Sequence, residues 1–491
     1  MNTYSDFLNM IPEAALMFAL VVLFIADFAT ANKAERKWLN PLACILMLPV
    51  IVAPLACGAE VHLFGDMYRN TFGVNIVKSI LAAGTLIVLI QSRAWLYGKA
   101  ANEGKRNTMS MEGEFYMLIV STLLGMFMML SAGHFLLFFI GLEMASVPMA
   151  CIVAFDKYRN LSAEAAAKFI LTATFSSGVM LYGLSFLYGA CGTLYFDDVA
   201  TKLVGIINGE GVTPMLIMAL VFFFSGLGFK LSLVPFHFWT ADTYQGAPTT
   251  VTGYLSVISK GAAAYTLLII LFHVFGAMAE QWHYLLYIVV VLSITIANLF
   301  AIRQSELKRF MAFSSISQAG YIMLAAIGTD WTLSASSLIY YVLIYIVANM
   351  SVFSIITVVE QNNNGKTDID DYDGFYQTNP KLAFLMTLAL FSLGGIPPFA
   401  GMFSKFFVFL AAAKAGSAWA YAIVFIALIN TVISLYYYLL IVKAMYIKKT
   451  DNPLPTFRSD CNTRLALALC TAGIVLFGVC SCIFDWISAS V

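Results

Sequence analysis

Residues 225–260 of this 491-residue chain read SGLGFKLSLVPFHFWTADTYQGAPTTVTGYLSVISK. The segment begins as an apolar stretch of the kind that crosses a membrane, yet it carries Lys230 in its middle. Pro235 follows, and because proline lacks an N–H and clashes with the preceding turn, the helix is expected to break there. A second apolar stretch carries Lys260. A charge near the bilayer centre is costly and is tolerated where it faces a wet or paired interior, so this segment indicates an ion path.

The composition is that of a polytopic membrane protein. Hydrophobic residues make up 61% of the chain and charged residues 11%, whereas soluble domains carry roughly a quarter charged residues. The net charge is zero, which gives no indication of a nucleic-acid partner. The polar start MNTYSDFLNM lacks a basic region, so no cleavable signal peptide is predicted.

The eight cysteines form no CxxC pair and no cluster with histidine, so neither a zinc site nor an iron–sulfur site is predicted. Cys57 and Cys191 lie near the ends of apolar stretches and could meet on one face, although buried free thiols are the favoured interpretation. The sequence has no Gly-rich nucleotide loop either. We therefore predict no catalytic residue, no metal ligand and no cofactor-binding residue in this chain.

Apolar stretches of spanning length recur along the whole chain. A helix that crosses the membrane needs about 20 apolar residues. The predicted spans, numbered 1 to 14 in chain order, cover residues 10–29, 40–58, 74–92, 114–132, 134–154, 162–189, 212–240, 249–275, 282–302, 307–327, 332–359, 380–413, 418–445 and 463–486. The longest connections are 93–113, 190–211 and 361–379, and the last of these reads as a polar, solvated loop. The predicted fold class is all-α, with about 14 transmembrane helices.

Span 12 repeats the pattern of span 7. Residues 390–410 read LFSLGGIPPFAGMFSKFFVFL, in which glycines and the pair Pro397–Pro398 precede Lys405. Spans 7 and 12 are five apart and so cross in opposite directions, and two broken helices at corresponding positions indicate an inverted repeat. The predicted organisation is an N-terminal three-helix segment (1–113), a first repeat of spans 4–8 (114–275), a second repeat of spans 9–13 (276–445) and a C-terminal helix (446–491).

The basic residues predict the orientation. Of the 27 Lys and Arg residues, nineteen flank the connections after odd-numbered spans. Four flank the other connections (Arg69, Lys78, Lys202 and Lys414), and four lie inside spans (Lys168, Lys230, Lys260 and Lys405). Lys and Arg are enriched in cytoplasmic loops. The odd connections are therefore predicted to face the cytoplasm, and both termini to face outward.

Four ionisable residues are predicted to share one depth in the membrane: Glu143, Lys230, Lys260 and Lys405. Each lies about nine to eleven residues from the end of its span, or roughly 15 Å at 1.5 Å per residue, which is half of a roughly 30 Å core. Lys168 is shallower and could reach the interface with its long side chain. A row at one depth indicates that charge passes sideways along the membrane as well as across it.

Four segments carry a resemblance to a known family. They are GLEMAS (141–146), GLGFKLSLVPFHFWTADTYQGAP (226–248), KRFMAFSSISQAGY (308–321) and GGIPPFAGMFSKFFVF (394–409). From about span 3 to span 13 the sequence resembles subunit N of bacterial NADH-quinone oxidoreductase, respiratory complex I, an antiporter-like family. The resemblance implies a proton-translocating subunit without redox chemistry of its own, in the bacterial cytoplasmic membrane beside M-, K- and J-like subunits. NADH, FMN, iron–sulfur clusters and quinone are then expected in other subunits.

The resemblance also implies roles for single residues. The family's midplane glutamate corresponds to Glu143, its broken-helix lysine to Lys230, its connecting lysine to Lys260 and its outer-half lysine to Lys405. Lys168 falls on a further lysine position of the family. Together with His237, these residues are the predicted proton relay.

Two positions leave alternatives open. His237 lies just beyond the break, where it would either feed protons in or cap and pack at the start of the next helix. Related sequences often carry a histidine where this chain has Gln318. Glutamine cannot titrate, so Ser314, Ser317 and bound water are expected to hydrogen-bond across in its place.

A carboxylate close to a buried lysine favours the protonated lysine, so movement of Glu143 relative to Lys230 would switch the lysine between holding and releasing a proton. The alternative for Glu143 is a purely structural ion pair. Three other functions compete with proton pumping in complex I. They are a subunit of a related cation/proton antiporter or membrane-bound hydrogenase, a free-standing transporter of a solute, and a scaffold with no proton path.

Overall fold

The structure is a computed structural model that describes residues 7, 9–30, 36–57, 60–97, 111–156, 159–363, 365–450, 453–480 and 482–491. Part of the orientation prediction lies outside the described residues, because it uses Lys33, Lys99, Lys105, Arg106 and Lys157. Most of the predicted connection 93–113 and most of the polar start of the chain also lie outside them.

The predicted all-α membrane fold is confirmed. Within the described residues, thirteen helices are long and apolar enough to cross a membrane, and span 12 is built from two shorter apolar helices. Spans 1 to 6 are Ile11–Ala29, Leu39–Ala56, Phe72–Leu96, Glu112–Leu130, Phe135–Val153 and Asn160–Cys191. Spans 7 to 10 are Pro214–Leu231 with Phe238–Gly246, then Thr249–Val274, Gly276–Ile302 and Leu307–Ile327. Spans 11 to 14 are Trp331–Asn362, Pro380–Gly394 with Ala400–Ala413, Ala418–Tyr446 and Cys461–Val479.

Spans 7 and 12 are interrupted, as predicted, and both interruptions use the same helix cap. Ser232 ends the first half of span 7 in the left-handed conformation (φ 62°, ψ 34°), and Gly395 does so in span 12 (φ 85°, ψ 36°). Leu233 N donates to Gly228 O at 2.8 Å, and Ile396 N donates to the carbonyl at the equivalent position of span 12 at 3.0 Å. These bonds, which run five residues back, define a Schellman motif at each break. The shared cap is a local sign of the repeat.

The prolines come after the caps. In span 7 the helix has already ended at Ser232 when Pro235 is reached, and in span 12 it has ended at Gly395 before Pro397. Proline is common just after a helix cap because it cannot continue the helix. The prolines therefore prevent the helix from resuming, while the left-handed residues end it.

Spans 8, 10 and 11 form the centre of the molecule. Inside the described chain, all residues in the most apolar part of span 10 are buried, and the buried share is 94% in span 11 and 89% in span 8. Spans 1, 2, 13 and 14 have only 28–33% buried and leave a broad apolar surface uncovered. Span 8 contains a π-helical turn, Leu255–Ser259, immediately before Lys260. Single π turns inside α-helices are frequent at functional sites.

A β-hairpin between spans 2 and 3 was not predicted. Its strands, β1 (Val61–Leu63) and β2 (Tyr68–Asn70), pair antiparallel. Arg69 on β2 forms an ion pair with Asp197, and this contact holds the pKa of the Asp197 carboxyl below its usual range.

Other unpredicted elements lie in the connections. The segment 190–211, read as a loop, contains an amphipathic helix, Phe196–Glu210, whose residues Phe196, Val199 and Leu203 are buried. The solvated loop predicted at 361–379 is only partly solvated, since Tyr372 and Phe375 are fully buried.

The end of the chain also differs from the prediction. Span 14 ends at Val479 instead of residue 486, and a further short helix follows, Cys482–Ser490. All eight cysteines are free, including Cys57 and Cys191.

Candidate functional site

Lys230 lies two residues before the left-handed cap in span 7, and its charge is buried against span 5. The side chain is 5% exposed, and Nζ donates to Ser146 Oγ at 2.7 Å. Ser146 in turn donates to Leu142 O at 2.6 Å. Glu143 lies one turn before Ser146 but forms no ion pair within 4 Å of Lys230, and Glu143 Oε1 is buried with no hydrogen-bond partner among the described residues. The predicted pair is thus not in direct contact, and Lys230 donates to Ser146 instead.

Lys260 begins the α-helix that follows the π turn of span 8. It is 1% exposed, and Nζ donates to Ser315 Oγ of span 10 at 2.7 Å. The ammonium also lies 5.5 Å from the centroid of the Tyr244 ring, a cation–π distance. The Tyr244 hydroxyl is 3.4 Å from Ser315 Oγ. Ser315 therefore links the lysine to the second half of span 7.

Lys405 lies in the second half of span 12 and reaches back to the break. It is 4% exposed, and Nζ donates to Gly394 O at 3.1 Å, one of the carbonyls left free by the break. The Tyr321 ring centroid lies 4.9 Å from the ammonium. A small cavity joins Lys405 to Gln318, with about 10 Å³ open to the centre of a water molecule. This is about the space that one bound water needs.

Gln318 is fully engaged in hydrogen bonds. Its Oε1 accepts from the Tyr341 hydroxyl, and its Nε2 lies 3.3 Å from both Leu393 O and the Tyr438 hydroxyl. Tyr438 also shares a 2.5 Å hydrogen bond with Ser314. The glutamine is thus a fixed member of a hydroxyl network beside Lys405.

Span 10 carries the polar connection between the second and third lysines. Ser315, which contacts Lys260, and Gln318, which lines the Lys405 cavity, are three residues apart and so lie on one helical face. From the sequence, we expect Ser314 and Ser317 to form this connection. Ser317 Oγ has no hydrogen-bond partner in the described part of the chain, so Ser315 is the serine that reaches a lysine.

Lys168 does not join the buried row. It is 43% exposed and forms ion pairs with Glu164 at 2.6 Å and with Asp242 at 2.7 Å. Arg309 contacts the other oxygen of Asp242 at 2.7 Å. This cluster borders an open cavity of about 200 Å³ at the end of span 7.

His237 lies in the break of span 7, away from the three lysines' hydrogen bonds. Its ring stacks on Phe238 with centroids 4.6 Å apart, and it makes no capping bond to the following helix. Nδ1 is buried without a partner among the described residues. A capping role for the His237 side chain is thereby excluded, which leaves packing or proton entry as its role.

Lys78 corrects one assignment made from the sequence. We placed it among the basic residues of the outer connections, but it is 0% exposed inside span 3. Its Nζ lies 2.6 Å from Glu13 Oε1 of span 1. The hairpin closes this ion pair, because the Tyr68 hydroxyl donates to Glu13 Oε2 at 2.7 Å. Lys78 is therefore buried like the three relay candidates, but it is paired with a carboxylate.

The hydroxyl partners of the lysines were missed. Ser146, Ser315, Tyr244 and Tyr341 each contact a relay candidate or Gln318 from another span. Ser146 stands one turn from Glu143 inside GLEMAS, so helical spacing could have indicated it. In the described chain, no group of three or more His, Cys, Asp or Glu residues is placed to hold a metal ion.

Two interrupted helices that each carry a buried lysine define an antiporter-like membrane protein. Residues 132–434 match the family described as NADH:quinone oxidoreductase/Mrp antiporter, TM. The chain is 57% identical to NADH-quinone oxidoreductase subunit N of Phocaeicola vulgatus, with 98% of each chain covered. The chain belongs to the NADH-quinone oxidoreductase subunit N family.

Two solved structures show the same fold. One is a chain of respiratory complex I from Thermus thermophilus with bound aureothin, at TM-score 0.76 and 26% identity over 95% of this chain and 97% of that one. The other is a chain of the Mrp complex from Dietzia sp., at TM-score 0.81 and 18% identity over 98% and 97%. The second likeness concerns the fold alone.

Proposed function

We propose that this chain is a proton-translocating subunit of the membrane arm of an NADH-quinone oxidoreductase. Its three relay lysines are Lys230, Lys260 and Lys405. The observation that carries the proposal is the nature of their partners, since all three donate to neutral oxygens: two serine hydroxyls and a backbone carbonyl. Membership in the subunit N family supports the same function.

A neutral partner makes deprotonation possible. When a lysine in a buried ion pair loses its proton, it leaves a carboxylate buried without a counter-charge, as would happen to Glu13 beside Lys78. A lysine that donates to a hydroxyl or carbonyl can lose its proton and leave only neutral groups behind. Its proton affinity then responds to charges farther away, because the low dielectric of the interior screens them weakly.

Glu143 is the nearest candidate for such a remote charge. Its unpartnered Oε1 and its position one turn from Ser146 allow it to act on Lys230 across the serine. A proton that leaves Lys230 would pass toward Lys260, and from there by Ser315 and a water molecule in the cavity beside Gln318 to Lys405. Serine and water carry a proton by accepting one and donating another.

The oxidoreductase chemistry belongs to other subunits in this proposal. We expect NADH, FMN, the iron–sulfur clusters and quinone there, and M-, K- and J-like subunits beside this chain. We further propose the bacterial cytoplasmic membrane as its location, with both termini outside, from the distribution of Lys and Arg. Lys168 and His237 lie where a path from the cytoplasmic side would enter under this orientation.

The test is Lys405→Met in the purified complex reconstituted into vesicles, with Lys366→Met in the connection after span 11 as the control. We expect Lys405→Met to assemble but to lower both proton pumping and the coupled quinone-reductase rate, and Lys366→Met to change neither. Full pumping by Lys405→Met would contradict the proposal.

A further inference from the structure

Two adjoining cavities open at the beginning of span 14, and the first of them also reaches the beginning of span 12. The first has a volume of about 690 Å³ and lies between the first turns of the two helices. Its rim carries Lys381, Arg458 and Arg464. Below the rim its wall is apolar, with Leu385, Leu467 and neighbouring small residues of span 14. The groove therefore combines a cationic end with an apolar trough.

The second cavity has a volume of about 750 Å³ and shares Arg458 and Arg464 with the first. It adds Lys37, which lies just before span 2, and Arg93 from the end of span 3. Asp460 is the one carboxylate among its described lining residues. Four cations thus meet one anion where the two cavities join.

The three cations on the rim of the first cavity have no ion-pair partner among the described residues. Lys381 and Arg458 form no ion pair with any described residue. Arg464 donates from Nε and from a terminal nitrogen to Ser459 O, at 2.9 and 2.7 Å. Those bonds fix the direction of the guanidinium but leave its charge without a counter-ion.

The rim is held in place by the segment before span 14. Asn379, the residue before span 12, donates to Pro455 O at 3.2 Å and accepts from Phe457 N at 3.2 Å. Thr456 donates to Thr378 O at 3.1 Å. Arg458 is thus presented beside the positive ends of two helices, which also favour an anion.

We propose that these cavities bind an anionic phospholipid, with its phosphate between Arg458 and Arg464 and one acyl chain in the groove between spans 12 and 14. The cations come from the connections after spans 1, 3, 11 and 13, which all lie on one side of the membrane, so the headgroup would belong to that leaflet. A soluble anion would use only the rim, whereas the apolar wall that continues from it matches an acyl chain.

The test uses the assembled complex in phosphatidylcholine vesicles that contain a photoactivatable phosphatidylglycerol, followed by identification of the cross-linked peptides. We expect cross-links in residues 380–386 and 464–472. Arg458→Gln with Arg464→Gln should weaken the probe's binding roughly 30-fold. The matched control is Arg303→Gln with Lys443→Gln, two exposed cations at the ends of odd-numbered spans, which should leave the cross-links unchanged.

A second variant tests the apolar half of the site. Ala468→Trp fills the groove without removing a charge and should abolish the cross-links there. Several results would overturn the proposal: equal labelling of the arginine variant and its control, equal labelling by a phosphatidylcholine probe, complete competition by inorganic phosphate, or cross-links that place a neighbouring subunit in the groove.

Discussion

The buried ion pair between Lys78 and Glu13 offers a test that separates structural lysines from relay lysines. Nζ lies 2.6 Å from Oε1, and the two side chains are 0% and 2% exposed. Tyr68 and Asn70 complete the cluster, with Asn70 Oδ1 accepting from Nζ at 3.1 Å. At this separation and an effective dielectric constant of about 20, two unit charges attract by roughly 6 kcal/mol.

Removing one partner leaves the other charge buried and unpaired, which costs about 3–5 kcal/mol. We therefore expect Lys78→Met to lower the free energy of unfolding of spans 1 to 3 by this amount. Lys405→Met removes a lysine whose hydrogen bond goes to a backbone carbonyl, so its cost should stay below about 1.5 kcal/mol. The same substitution at two buried lysines is thus expected to give different results.

The assay is amide hydrogen exchange of Phe72–Leu96 in the purified complex, together with the temperature at which the complex loses this chain. Lys78→Met should accelerate exchange and lower that temperature, and Lys405→Met should do neither. Adding Glu13→Gln to Lys78→Met removes both charges and should recover most of the loss. Equal stability of the two single variants, or a double variant worse than Lys78→Met alone, would refute the reasoning.

Two further predictions concern partners seen only in the structure. Ser146→Ala removes the acceptor of Lys230 and should slow proton pumping while assembly, followed on native gels, is kept; an unchanged pumping rate would exclude the serine from the path. The pKa of Asp197 is lowered because Arg69 binds its carboxylate. The ion pair therefore stabilises the protein at pH values above the usual aspartate pKa, and this stabilisation is lost only as the pH falls below about 4. The rate of amide hydrogen exchange in Phe196–Glu210, corrected for intrinsic rates, should therefore be the same at pH 8 and pH 5. Arg69→Gln should raise this rate at both pH values. Because Asp197 is exposed, the loss of stability in the variant should stay within about 1 kcal/mol.

The spans could be predicted because a bilayer demands long apolar helices whose backbone groups are satisfied internally. The two breaks could be predicted as well. In span 12 the prediction included the glycine that ends the helix, Gly395, whereas in span 7 it used Pro235, which follows the end of the helix. Proline is visible in a sequence, whereas the left-handed conformation of Ser232 is not, since a non-glycine residue adopts it only in a particular setting.

The partners of the lysines could not be predicted, because each lies on another span or across a break. Ser315 meets Lys260, and Ser146 meets Lys230, only through packing between helices. Lys78 was misplaced for a related reason: a hairpin of six strand residues, too short to stand out in a membrane protein, covers its end of span 3 and makes it a buried residue.

The central claim is that Lys230 holds and releases a proton, and one measurement tests it most directly. Proton pumping and quinone-reductase rate are compared for Lys230→Met and Lys230→Arg in vesicles with equal amounts of assembled complex. Arginine keeps the charge but does not deprotonate, since its pKa lies above about 12. The account predicts that both variants pump poorly and that quinone reduction slows with pumping. Near-normal pumping by Lys230→Arg beside a severe loss in Lys230→Met would show that only the charge matters, and full pumping by Lys230→Met would contradict the relay altogether.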